Sequence, residues 1–249
     1  MIHLATAAPI VAASFLASTV EVVEAFTIVL AVSVVRGVRP AALGTVAALA
    51  VLTLAVAIFG PLIATVPIHG MQMVIGVLLL LFGLGWLRKA VLRAGGALPL
   101  HDEGAAFAEE SAALAAGAAS KAADWIAGMA AFKAVLLEGT EVVFIVLAMG
   151  ARPGMLLPSA IGAAAACVLV LAAGMILRRP MSRIPENTLK FVVGALLSGF
   201  GVFWCSEGLA APFPFGDWAI PALVGLFLAY GLGMAAYVRY ILARTPAWM

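Results

Sequence analysis

Apolar residues fill this chain in runs of twenty or more, interrupted at intervals by arginine, glycine and proline. The alternation expected of strands is absent, so the runs predict helices. A helix crosses a hydrocarbon core about 30 Å thick in roughly 20 residues, and each run is that long. Seven spans are expected, near 9–35, 41–65, 69–92, 124–150, 155–177, 187–210 and 217–242. The breaks between them carry stop signals: Arg36-Gly37-Val38-Arg39-Pro40, Val66-Pro67, Arg152-Pro153-Gly154, Arg178-Arg179-Pro180 and Pro212-Phe213-Pro214. One longer connection, 93–123, is rich in Ala and Gly and carries His101, Asp102, Glu103, Glu109, Glu110 and Lys121.

Composition agrees with that pattern. Of 249 residues, 65% are hydrophobic and 10% charged, with a mean hydropathy of +1.18. Soluble domains carry about 25% charged residues, so this chain lacks the polar surface to stay in water. The expectation is an all-α integral membrane protein, multi-pass in the cell membrane, with the lipid bilayer as its first partner. The run from the N-terminus has no Lys or Arg before it and continues through Glu21 and Glu24 to Arg36, which reads as a first span rather than a signal peptide. Cys167 and Cys205 have no CxxC spacing and read as packing residues. No basic cluster with interleaved aromatics points to nucleic acid. Nor is an enzyme expected: HExxH, an Asp pair in GxGD context and a Ser/His couple at membrane depth are all missing.

Numbering the loops alternately sorts the positive charges. Arg36, Arg39, Arg88, Lys89, Arg93, Lys121, Arg178, Arg179, Arg183, Lys190, Arg239 and Arg244 fall on one side, against Arg152 on the other. That bias predicts an outside N-terminus and a cytoplasmic C-terminus, with the 93–123 connection cytoplasmic.

The spans also repeat. VIGVLLLLFGLGW from Val74 matches VVGALLSGFGVFW from Val192, pairing Gly76 with Gly194, Phe82 with Phe200, Gly83 with Gly201 and Trp86 with Trp204. One residue out of that register, Phe15 falls on Phe132, Glu21 on Glu138 and Glu24 on Glu141. Repeat 1 covers 9–92 and repeat 2 covers 124–210, with 217–242 as an added seventh helix. Three spans per unit make the repeats enter the membrane from opposite faces, an inverted repeat whose site is expected near the midplane.

Glu21, Glu24, Glu138 and Glu141 lie where such a site is expected. A charge at the bilayer centre costs on the order of 2.5–3.5 kcal/mol on insertion scales, so intramembrane acids point to function. Spacing i, i+3 puts both carboxylates of a pair on one helix face, and pseudosymmetry would bring the pairs together. Four carboxylates so placed must protonate, pair or hold a cation. An all-oxygen site suits a hard cation such as manganese, calcium, magnesium or iron, and no organic cofactor is expected. The alternative is that the acids are protonated and join helices by hydrogen bonds, a contact that averages only about 0.6 kcal/mol in one measured system. Thr27 and Thr140 are candidate accessory ligands, with Ser18 and Thr19 as further hydroxyls. Lys133, two turns before Glu141, is a candidate charge partner or a lysine reaching for the interface.

Leu137-Glu138-Gly139-Thr140-Glu141 and Val20-Glu21-Val22-Val23-Glu24 carry a family resemblance. Seven spans, an outside N-terminus and Glu-x-x-Glu in helices one and four resemble the high-affinity iron permeases, the oxidase-dependent iron transporters of the Ftr/EfeU type. Their motif is Arg-Glu-Gly-x-Glu in both helices. Leu137 and Val20 stand where that motif has arginine, and the first copy keeps only the glutamates. The resemblance implies iron transport by the four glutamates and an extracytoplasmic oxidase or metal-delivery protein as partner. Cation/proton exchangers of the calcium and manganese type share the acid spacing, but have Gly-Asp and a basic residue that neither copy has here. A membrane scaffold or sensor without transport is the reading from another class. The acidic 101–110 stretch reads as a solvated loop, and Trp86, Trp125, Trp204 and Trp218 as an aromatic belt near span ends.

Overall fold

A computed structural model describes residues 4–63, 67–116, 120–150, 154–177 and 186–244. Among them every regular element is helical: α1 (Leu4–Arg36), α2 (Val38–Ile63), α3 (Ile68–Ala94), α4 (Glu103–Ala116), α5 (Lys121–Met149), α6 (Leu156–Leu177), α7 (Glu186–Gly208) and α8 (Ala219–Arg244), with a 3₁₀ turn at Gly216–Trp218. The stop signals at Arg152-Pro153 and Arg178-Arg179-Pro180, and Arg183 with them, lie outside the described residues. Six helices are long and apolar enough to cross a membrane: α1, α2, α3, α6, α7 and α8. The chain is therefore consistent with a multi-pass membrane protein. Helix α5 has 29 residues, about 43 Å of helix, and so the length for a span; it carries Lys121, Asp124, Lys133, Glu138 and Glu141.

Two expectations about connections change. The break at Arg36–Pro40 shrinks to Gly37 alone, whose φ of +97° turns the chain between two helices. Pro40 then sits in the first turn of α2, where the missing N–H removes no hydrogen bond. The 93–123 connection is likewise not a plain loop, for it contains α4. Asp102 Oδ1 caps that helix, accepting from Gly104 N at 2.7 Å and Ala105 N at 3.3 Å. At its other end Arg36 donates from Nε and Nη2 to the carbonyl of Leu114, at 3.1 and 2.5 Å. Asp102 and Arg36 thus satisfy the two ends of a helix that composition alone leaves marginal.

The helices group into two compact units, each drawing on both halves of the chain. In the first, α1 packs against α5 and α6, α2 packs against α5, and α4 lies on α1. Gly162 brings α6 so near α1 that a Cβ there would stand 2.4 Å from the Val11 carbonyl oxygen and 3.1 Å from Phe15 N. Gly44 does the same between α2 and α5, at 2.1 Å from the Gly128 oxygen and 3.0 Å from Phe132 N. Small residues let backbones approach this closely where lipid offers no hydrophobic drive. Beside Gly162, Ser14 Oγ donates to the Ser159 carbonyl at 2.8 Å.

In the second unit α3 lies along α7, and α8 packs on α7. A Cβ at Gly76 would meet Cys205 N at 2.6 Å and one at Gly194 would meet Leu87 N at 2.7 Å; Gly83 faces Ser198 and Gly201 faces Leu80 in the same way. This close pair corrects the belt reading for two tryptophans. Trp125 and Trp218 are exposed, but Trp86 and Trp204 are buried. Trp86 lies under the Lys190 ammonium, 5.5 Å from its ring centroid, and Trp204 meets Phe203 edge-on.

Candidate metal centre

The first unit buries α1 between its neighbours, and this sets the environment of the first glutamate pair. Val20 and Val23 are fully buried, and Glu21 between them is 1% exposed. Glu138 and Glu141 on α5 are half-buried. Gly139 between them faces the tip of the Leu52 side chain on α2, which can turn aside, so this glycine is not a close backbone contact like Gly44 or Gly162.

Glu21, Glu138 and Glu141 each bring one carboxylate oxygen within 4.8 Å of the other two. At an effective dielectric near 20, two full charges at that separation repel by about 3.5 kcal/mol. A cluster with three such pairs must be protonated, paired or hold a cation. Among the described residues, Glu141 Oε2 is buried with no hydrogen-bond partner, as is Ser18 Oγ one turn before Glu21. Oxygens so placed are the donors a hard cation takes, at 2.0–2.6 Å depending on the ion.

Glu24 goes elsewhere. Its carboxylate lies within 4.8 Å of that of Glu103, at the start of α4. Glu103 is 4% exposed, so the acidic stretch is solvated at Glu109 but not at its first glutamate. The expected pairing of two whole Glu-x-x-Glu motifs thus resolves into three carboxylates together and one turned toward α4. Thr27 and Thr140 donate their hydroxyls to carbonyls of their own helices, Val23 O at 3.0 Å and Leu136 O at 2.6 Å. Lys133 is exposed. Among the described residues it enters no salt bridge, so the structure does not bring it to the glutamates as a charge partner. Leu137, at the motif arginine position, is also exposed.

The second unit holds an acid that the spacing argument did not single out. Glu186, 3% exposed at the first turn of α7, has Arg93 Nη1 at 3.8 Å, Lys190 Nζ at 3.5 Å and His101 Nε2 at 3.5 Å. Asn187 beside it accepts from Arg93 Nη1 at 3.1 Å and donates to the His101 carbonyl at 3.2 Å. Glu186 and these three basic groups form a buried ion-pair network. Its sequence signal is the i, i+4 spacing of Glu186 and Lys190.

Comparison with protein-family models, curated proteins and solved structures gives no match to this chain.

Proposed function

We propose that the chain transports a hard metal cation across the cell membrane, with iron the first candidate and manganese and calcium next. The observation that carries this reading is the approach of Glu21, Glu138 and Glu141, from two helices, to within 4.8 Å of one another. In this reading the three carboxylates bind the ion near the midplane, and Glu24 with Glu103 supplies the next acidic position along α1. Helix α5 counts as a seventh span despite its charges, since the acids inside it are the site.

The architecture proposed is two inverted repeats plus α8, with the N-terminus outside. The glycine contacts support it, because Gly44 against α5 and Gly162 against α1 are equivalent under the sequence repeat, as are Gly76 with Gly194 and Gly83 with Gly201. Rocking of one set of helices against another would then expose the ion alternately. The resemblance to oxidase-dependent permeases extends the proposal to an extracytoplasmic oxidase or delivery protein. The test is flux of Fe, Mn, Ca, Mg and Zn into liposomes holding the purified protein. A variant with Gln at Glu21, Glu24, Glu138 and Glu141 should insert and fold but carry no metal; undiminished flux in it would sink the reading.

A further inference from the structure

At one end of the second unit, the last turn of α3, the first of α7 and the last turns of α8 surround a cavity of about 420 Å³. That is within the range of small-ligand sites. Its walls are apolar, including Ala90, Phe191 and Leu232, and its polar groups are Asn187, Thr188 and Arg239. Arg239 donates from Nη2 to the Ala94 carbonyl at 2.7 Å, which fixes the guanidinium while engaging one of its five N–H groups. Asn187 in the cavity wall accepts a hydrogen bond from Arg93 Nη1 at 3.1 Å, which places that guanidinium next to the lining.

Charge singles out the occupant. This end of the unit gathers Arg88, Lys89, Arg93, Lys190, Arg239 and Arg244, whereas the opposite turns of α3, α7 and α8 contain no lysine or arginine. Tyr237 and Tyr240 are exposed on the same stretch of α8, and the Arg244 guanidinium lies 4.2 Å above the Tyr240 ring. Exposed tyrosines and arginines at a helix end mark headgroup depth. A cavity there, apolar inside and guanidinium-bearing at one wall, matches a phosphate joined to an acyl chain.

We propose that this cavity binds an anionic glycerophospholipid, its phosphate against Arg239 with Arg93 behind, and one acyl chain along Phe191 and Leu232. Basic pockets between membrane helices take such headgroups, and the anionic leaflet supplies them. The proposal does not depend on the transport reading.

The test is native mass spectrometry of the detergent-purified full chain with phosphatidylglycerol, phosphatidylcholine of the same acyl chains, or inorganic phosphate. Phosphatidylglycerol should bind at least fivefold more tightly than phosphatidylcholine. Arg239→Gln should weaken it by about fivefold, the contribution of one basic residue at a membrane surface. Ala236→Trp, at an exposed lining position, should block the apolar slot and weaken both lipids while leaving Arg239 in place. Equal binding of the two lipids, or full binding in both variants, would overturn the proposal. So would complete displacement of phosphatidylglycerol by inorganic phosphate, which would make this a free-anion site.

Discussion

Gly44 and Gly162 make the same contact in two places. Each faces a neighbouring helix at a backbone carbonyl and an amide four residues on, Gly128 and Phe132 for one, Val11 and Phe15 for the other. Those partners correspond under the alignment that sets Glu21 on Glu138. The residues beside the contacts differ in chemistry: Ser14 and Ser159 exchange hydrogen bonds where the equivalent Ala131 and Ala41 are buried in an apolar cluster. The backbone approach is therefore the shared feature, and the side chains around it are free to vary.

Adding a methyl at either glycine should separate a helix pair. Gly44→Ala and Gly162→Ala are each expected to cost about 1–3 kcal/mol, the usual penalty for overpacking. At about 2–4 °C per kcal/mol, both should lower the melting temperature in detergent. Gly85→Ala, with nothing within 4 Å of the added atom, serves as the control and should melt no lower than the parent.

The Ser14–Ser159 hydrogen bond should matter less than the glycine beside it. Interhelical polar contacts average about 0.6 kcal/mol with a maximum near 1.7. Ser14→Ala should therefore melt only a few degrees lower, less than Gly162→Ala. The reverse order would mean that the hydroxyls, not the close backbones, join α1 to α6.

Metal affinity should separate the four glutamates. Even outer-shell partners of metal sites account for about 10–100-fold in affinity, so Glu21→Gln, Glu138→Gln and Glu141→Gln should each lose at least tenfold. Glu24→Gln, whose carboxylate lies with Glu103, should lose less affinity than any of these three and show its defect in flux. Titration calorimetry distinguishes these outcomes. An equal loss at Glu24 would restore the four-ligand site that the spacing predicts.

Lys133 should be dispensable for that site. Its side chain is exposed, so Lys133→Gln is expected to leave binding and flux within about twofold of the parent, as for an exposed charge. A large loss of binding in this variant would place the ammonium at the ion after all.

Glu186→Gln should destabilise the fold. Removing one partner from a buried ion pair costs about 3–5 kcal/mol. Arg93 and Lys190 keep 17% and 12% of their side-chain surface in contact with solvent, and His101, charged only when protonated, keeps 30%. That exposure reduces the expected loss to about 1–3 kcal/mol, read as a lower melting temperature.

The sequence by itself determined the helices. Hydropathy located the long apolar segments, because a chain this poor in charge can satisfy its backbone in lipid only as helix. It also located the glutamates, because an acid in an apolar run stands out against its neighbours. Recurring glycines, tryptophans and acids were legible in the sequence, yet only packing gave those residues distinct roles: the glycines set close backbones, and Trp86 and Trp204 are buried instead of belted. Helix α4 was hidden, since its Ala-rich composition is helical or disordered until Asp102 and Arg36 cap it and α1 receives it. Tertiary structure alone decided that Glu21 joins Glu138 and Glu141 while Glu24 turns to Glu103. Spacing along one helix fixes which residues share a face, but which carboxylates meet depends on the neighbour that each turn of that face is packed against.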